Sequence, residues 1–303
     1  MPELESQLSG AICNAISVAT DAQADFSKFS RLGGGSINEA RLMTLRDGRR
    51  FLVKSNASAA PDFFFCEQIG LSTLAAANKI RVPKVICESE HGGVQFLVLE
   101  AIEIGREPAD FEENLGRQLA ELHLESTSDQ FGFQHDGVQF DNFIGSSHQP
   151  NPLSTDWIDF WGTYRLGFQL RLAEANKVGN RQLQSLGNRL VDRLQQLLPN
   201  EHSQPVLIHG DLWSGNYLVD SCGQPVLIDP APYYADHEAE FGMTALFGGF
   251  SQRFYDAYRE VVPFEFGFEQ RFEIYKLYHL LNHLNLFGNS YLDGCLSILK
   301  KYC

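Results

Sequence analysis

Strand-forming sequence is concentrated in the first hundred residues of this chain, and helix-forming sequence takes over after Glu100. Leu4, Leu8, Ile12 and Ile16 recur at steps of four, which predicts a one-sided helix over residues 3–18. Short apolar runs follow around turns. Phe29 to Leu32 leads into Gly33-Gly34-Gly35, and the runs 40–45 and 50–54 flank Arg46-Asp47-Gly48, a strong hairpin signal. Residues 62–78 read as a helix, and 82–86 and 94–99 as two more strands. Beyond Glu100, Leu115, Leu119 and Leu122 share a helical face. Further helices are predicted over 156–176, 181–198, 251–261, 269–286 and 290–302, interrupted by strand-like sequence from Val206 to Ile228. No internal repeat or flexible linker intervenes. The economical architecture is α+β and bilobal, with a small β-rich N-lobe (1–101) containing one key helix and a larger, mainly α-helical C-lobe (102–303).

Charge narrows the partners. Lys and Arg number 24 against 38 Asp and Glu, a formal charge of −14, and no basic stripe overrides it. A nucleic-acid partner is not expected, although a compact site that handles phosphates needs only a few local cations or amides. The six cysteines show no C-x-x-C spacing, and the opening Met1-Pro2-Glu3-Leu4-Glu5 is acidic where a signal peptide needs positive charge. No apolar run approaches the roughly 20 residues of a membrane helix. The expectation is a reduced, cytoplasmic protein without a membrane partner; its oligomeric state stays open.

The chemistry is concentrated in His209-Gly210-Asp211-Leu212-Trp213-Ser214-Gly215-Asn216 and in Ile228-Asp229-Pro230. Asp211 and Asn216 stand five apart, and Asp229 follows 13 later at the end of an apolar strand. Protein kinases use this arrangement: an Asp beside the attacking hydroxyl, an Asn on magnesium, and a second metal-binding Asp beyond a hairpin. A carboxylate can orient and accept a hydroxyl proton, while Asn and Asp offer hard oxygens to Mg2+. His209 is expected to brace the loop through hydrogen bonds. In the N-lobe, Lys54 ends the strand Phe51-Leu52-Val53, and Glu67 lies 13 residues on in the next helix. That is the placement of a phosphate-contacting lysine held by a helix glutamate. Gly33, Gly34, Gly35 and Ser36 lie one hairpin upstream, where glycines let amides approach phosphate oxygens; alone, the run could be a flexible turn. Glu100, Ala101 and Ile102 at the lobe junction could pair with an adenine edge through their backbone, or could simply connect the lobes.

These residues resemble the fructosamine (ketosamine) kinases, within the wider aminoglycoside phosphotransferase and choline kinase group. The group-wide pattern is His-Gly-Asp with the later Asn and Asp. The narrower pattern adds Leu212 to Asn216, Asp229-Pro230-Ala231, Tyr233-Tyr234, Leu246 to Phe250 and Tyr278 to His283. It also includes Asp141-Asn142-Phe143-Ile144-Gly145, Gln149-Pro150-Asn151 and Arg165-Leu166-Gly167. The resemblance covers about residues 31–292. It implies a protein-kinase-like fold, ATP and Mg2+ as cofactors, Asp211 as base, Asn216 and Asp229 as metal ligands and Lys54 paired with Glu67. Adenine would lie at Glu100 to Ile102, and a sugar-amine pocket near Trp213. The substrate it implies is a small-molecule or protein-bound ketosamine, phosphorylated at position 3. Glu240 stands where relatives often have Asp, and Ser36 where some have Cys. Two other readings compete: a kinase of another amine or sugar, such as an aminoglycoside or choline, with a different C-lobe pocket, and a non-catalytic nucleotide-binding pseudokinase, which would lack the base, a metal ligand or the lysine, none of which is lost here. Trp213 could equally face the sugar or only pack the loop. The patches Phe63-Phe64-Phe65 and Phe247 to Phe254 are expected mostly in the core.

Overall fold

A computed structural model describes residues 2–32, 38–198 and 203–303, with side chains from residue 7 onward. The glycine-loop positions Gly33, Gly34, Gly35 and Ser36 lie outside the described residues. The chain begins with α1 (Pro2–Thr20), followed by β1 (Phe26–Arg31), β2 (Glu39–Leu45), β3 (Arg50–Asn56), α2 (Phe63–Ala77), β4 (Val85–His91), β5 (Val94–Glu100) and α3 (Phe111–Glu125). The strands form one antiparallel sheet in the order β1-β2-β3-β5-β4, so β3 is central. Alternation along β3 and β5 sorts the side chains onto two faces. Phe51, Val53, Phe96 and Val98 pack with Ile12 and Ile16 of α1 on the outer face. Leu52, Leu97 and Leu99 face inward, into a core shared with Phe64, Ile69 and Leu74 of α2 and Leu115 and Leu119 of α3. Lys54, in step with Leu52, therefore points toward α2. The strand expected from Val82 begins only at Val85, because Pro83 cannot donate to the ladder.

Beyond α3 the C-terminal part is helical, interrupted by short strand pairs. Strand Val206–Ile208 pairs with Tyr233–Ala235, and Tyr217–Val219 pairs with Pro225–Leu227. The helix expected over 156–176 is not uniform. α-Helical Trp157–Phe160 and Gly167–Ala175 flank a π-helical turn, Trp161–Leu166, which carries the fully buried Arg165. The segment 181–198 splits into Arg181–Val191 and Leu194–Leu197. A helix at Phe241–Phe247 was not apparent in the sequence. Its Gly242 reads as a breaker but instead allows close packing: a Cβ there would lie 2.6 Å from the Tyr275 backbone of helix Phe268–Phe287. Phe63, Phe64 and Phe254 are core residues, whereas Phe247 is 45% exposed.

The sheet and the helical part meet at several bonds. Arg81 donates to Glu100 and to Asp220, each at 2.5 Å, and its carbonyl accepts from Leu227 N at 2.8 Å. Gly105 N donates to Val219 O at 2.9 Å, and a Cβ on Gly105 would lie 2.1 Å from Asp220 O. Helix α2 rests on the C-terminal part at Gly70, where a Cβ would lie 3.0 Å from Pro232. A Gly70→Val variant should therefore lose about 1–3 kcal/mol by overpacking and bind ATP more weakly, because α2 carries Glu67. Thermal melting and nucleotide calorimetry check this; an unchanged ATP affinity would mean that α2 can shift without disturbing the site.

Candidate active site

Strand pairing brings the two motif loops together. Residues 209–216 connect Val206–Ile208 to Tyr217–Val219, and residues 228–232 connect Pro225–Leu227 to Tyr233–Ala235. Each loop therefore spans the same two strand pairs and must run beside the other. Ala231 N donates to His209 O at 2.9 Å, and Ile228 N donates to Asn216 O at 3.0 Å. The approach is close enough to demand glycine at 210: its φ is +81°, and a Cβ would lie 2.1 Å from Ala231 O.

Within the first loop, Asn216 Nδ2 donates to the Asp211 carbonyl at 2.8 Å and to Asp211 Oδ2 at 3.1 Å. Among the described residues no hydrogen bond reaches Asn216 Oδ1, which leaves an oxygen donor for a cation. His209 Nε2 donates to Ile228 O at 2.9 Å; a carbonyl can only accept, so Nε2 carries the proton and Nδ1 accepts from Asp211 N at 3.3 Å. Burial lowers the His209 pKa and keeps the ring neutral. The loop also hangs from a carboxylate that the sequence marked only as a departure. Glu240, buried, accepts from His209 N at 2.5 Å and Gly210 N at 3.0 Å. His123 Nε2 lies 3.5 Å from Glu240, while His123 Nδ1 bonds Tyr258 Oη at 2.8 Å. Asp211 feels this crowd of acids. Burial, then the Asp229 carboxylate, then Glu240 push its pKa well above the ordinary value, against the Asn216 hydrogen bond.

Lys54 connects the N-lobe to this site. Its ammonium lies 2.5 Å from Glu67 Oε1 and also bonds Asp229 Oδ1, with the lysine side chain only 7% exposed. Burial disfavours the charged amine, but the Glu67 and Asp229 carboxylates more than offset it, so the pKa stands above its ordinary value. Asp229 has a φ of +55°, a left-handed conformation that costs a non-glycine residue about 1–2 kcal/mol. Its carboxylate is 49% exposed, open to the cleft. Ala101 to Glu103 belong to no strand or helix, and among the described residues no backbone hydrogen bond uses their amides. Trp213 is half-buried; its ring covers Gly215, where a Cβ would lie 2.4 Å from the indole, and meets the exposed Phe247 at 5.5 Å between centroids.

A fructosamine kinase family model matches residues 8–303. The chain belongs to this family. It is 40% identical over 96% of its length to a probable ketoamine kinase of Synechocystis, covering 95% of that protein. It is 43% identical over 90% of its length to a chloroplastic protein-ribulosamine 3-kinase of Oryza sativa, covering 78% of that protein. Among solved structures, a putative fructosamine-3-kinase from Haemophilus somnus superposes with a TM-score of 0.84 at 28% identity, with 96% of each chain covered. The bilobal, kinase-like fold is thus shared along nearly the whole chain. The geometry brings Asp211, Asn216, Asp229, Lys54 and Glu67 of this fructosamine kinase family member into one cleft.

Two expectations follow. Lys54→Met should lower kcat/KM for ATP, Glu67→Ala should reproduce part of that loss, and the double variant should be far less than additive; strict additivity would deny that the pair acts as a unit. Asp211→Asn should cut turnover by about 10²-fold or more and yet stabilise the ligand-free protein. The native state binds the Asp211 proton more tightly than the unfolded chain does. This carboxyl's contribution is therefore full below the unfolded pKa and lost as pH rises through the raised native value. The Asn variant should melt above wild type near neutral pH, with the gap closing as pH falls toward the ordinary carboxylate range. A lower melting temperature at neutral pH would overturn the assignment.

Proposed function

We propose that this protein is an ATP- and Mg2+-dependent ketosamine kinase that phosphorylates the hydroxyl at carbon 3 of ribulosamine- or fructosamine-type adducts, free or protein-bound. The observation that carries this reading is the meeting of Asp211, Asn216, Asp229 and Lys54 in a member of the fructosamine kinase family. Lys54 binds the α- and β-phosphates, and the amides of Ala101 and Ile102 with the Glu100 carbonyl take the adenine edge; Gly33 to Ser36 complete the nucleotide contacts. Asn216 Oδ1 and the Asp229 carboxylate, both hard oxygen donors open to a cation, would hold Mg2+. That ion supplies positive charge against the phosphates and against the acids around Asp211. Asp211 accepts the proton of the substrate hydroxyl as its oxygen bonds the γ-phosphorus and the bond to the departing ADP breaks. Trp213 offers a rigid wall for the sugar, and the acidic surface tolerates a cationic amine.

The product explains why such a reaction is useful. A ketone at carbon 2 makes the carbon 1 protons acidic. Loss of one gives an enaminol that expels inorganic phosphate from carbon 3, and water then releases the amine and a dicarbonyl. In this reading phosphorylation is repair, making a persistent glycation adduct labile. All six cysteines are free thiols, as a reducing compartment would keep them, and a cytoplasmic setting is part of the reading. No helix among the described residues is long and apolar enough to cross a membrane.

Incubation with Mg-ATP and ribulose- or fructose-lysine, followed by removal of the enzyme by filtration, should leave a filtrate that keeps releasing amine. A product stable for days would sink the proposal, as would brisk aminoglycoside or choline turnover without ketosamine turnover. Asp229→Ala should abolish Mg-dependent ATP binding in calorimetry, and Asn216→Ala should weaken it less. Normal binding by Asp229→Ala would remove the metal role from that residue.

A further inference from the structure

Several sequence motifs of this chain have no part in the reaction above: Asp141 to Gly145, Gln149 to Asn151, Arg165 and Tyr278. In the fold they converge on one buried polar network beneath residues 231 and 232. Arg165 donates to Asn151 Oδ1 at 2.6 Å and to Pro150 O at 2.7 Å. Asn151 Nδ2 donates to Asn142 Oδ1 at 2.9 Å, and Asn142 Nδ2 donates to Pro232 O at 2.8 Å. From the other side Tyr278 Oη donates to Gln149 Oε1 at 2.7 Å, and Gln149 Nε2 donates to Ala231 O at 3.1 Å and Asn142 Oδ1 at 2.8 Å. Both chains end on the carbonyls of Ala231 and Pro232, two and three residues after Asp229. We propose that Arg165, Asn151, Asn142, Gln149 and Tyr278 are positioning residues that hold Asp229 in its cation-binding conformation. The proposal rests on Asp229 being the metal carboxylate.

The physical case begins with what these groups give up. All five side chains are buried, and among the described residues Arg165 has no ion pair. A guanidinium away from water is costly unless its donors are satisfied and its faces covered. Here both terminal nitrogens are bonded, Nε has no hydrogen-bond partner among the described residues, and the faces are covered by aromatic rings: Tyr233 lies 3.9 Å from the guanidinium carbon and Phe160 4.7 Å. Apolar side chains could fill this volume without that desolvation, so a polar network here needs a reason in what it bonds to. Asp229 supplies one, being a left-handed residue directly before a proline. Upstream, Ile228 is fixed by Asn216 O and His209 Nε2. Downstream, Ala231 N is held by His209 O, and the network supplies the partners of the Ala231 and Pro232 carbonyls. The hairpin that carries Asn142 and Gln149, formed by Asn142–Ile144 and Ser147–Gln149, also supports the other carboxylate at Lys54. Asp141 O accepts from Cys66 Sγ at 3.5 Å, beside Glu67, and Phe143 packs on Phe63 with centroids 5.0 Å apart.

Tyr278→Phe removes one hydroxyl and leaves the ring packing in place; Arg165→Lys and Arg165→Met break the other end. Steady-state kinetics with fructose-lysine would be run across Mg2+ concentration at saturating ATP, beside thermal melts and an Asp229→Ala control. Tyr278→Phe should raise the half-saturating Mg2+ concentration about tenfold, the scale on which loss of a group behind a metal ligand acts, with the fructose-lysine KM unchanged. Arg165→Lys should shift it in the same direction and less than Arg165→Met. A lowered melting temperature with an unchanged Mg2+ dependence in Tyr278→Phe would show that the network only packs the core. An equal rise in the fructose-lysine KM would also overturn the proposal. If the Arg165 variants fail to fold, Tyr278→Phe decides alone. If Asp229→Ala binds Mg-ATP normally, the metal reading and this proposal fall together; if it does not and Tyr278→Phe is silent, only this proposal fails.

Discussion

A buried ammonium with two carboxylate partners from distant parts of the chain is the constraint around which this protein is organised. Lys54 is nearly sealed from water, and its charge is tolerable only because Glu67 and Asp229 reach it. One partner belongs to the helix that covers the sheet, the other to a loop in the C-terminal part. The central strand, α2 and the 228–232 loop must therefore coincide, and the packing shows it. Gly70 brings α2 against Pro232, Arg81 spans from the sheet side to Asp220, and the inner face of the sheet shares its core with α3. A bound nucleotide would compete for the same ammonium, so the apo ion pairs hold the cleft in a state that phosphate oxygens can take over.

The 209–216 loop follows a second rule: its polar groups are satisfied from behind, on the side away from the cleft. Glu240 takes the amides of His209 and Gly210, and His209 takes the Asp211 amide and gives its own proton to Ile228 O. Asn216 Oδ1 accepts no hydrogen bond among the described residues, and the Asp229 side chain, bonded to Lys54 through Oδ1, is 49% exposed. Burial, with the Asp229 and Glu240 carboxylates, raises the Asp211 pKa well above its ordinary value.

Much of this could be read from residues alone. The strand-to-helix change after Glu100, the Asp47-Gly48 hairpin, and the spacing of Asp211, Asn216 and Asp229 are local or short-range signals, set by turn chemistry and side-chain period. Lys54 and Glu67 were recognisable as a pair for the same reason, being consecutive in strand and helix. Other features were out of reach because they depend on which segments meet. Glu240 reads only as a departure from the Asp of relatives until it is found beneath the 209–216 loop. Gly242 reads as a helix breaker until Tyr275 crosses it, and the left-handed turn at Asp229 is invisible in its residue type. Arg165 was part of a recognisable motif, yet nothing in its neighbours reveals that a π-turn would bury it against three aromatic rings. Sequence alone determined most of the elements and the chemical groups, since periodicity and residue type are local properties. Tertiary structure decided which groups share a dielectric, a proton or a hydrogen bond, because those energies depend on distances between residues that the chain leaves far apart.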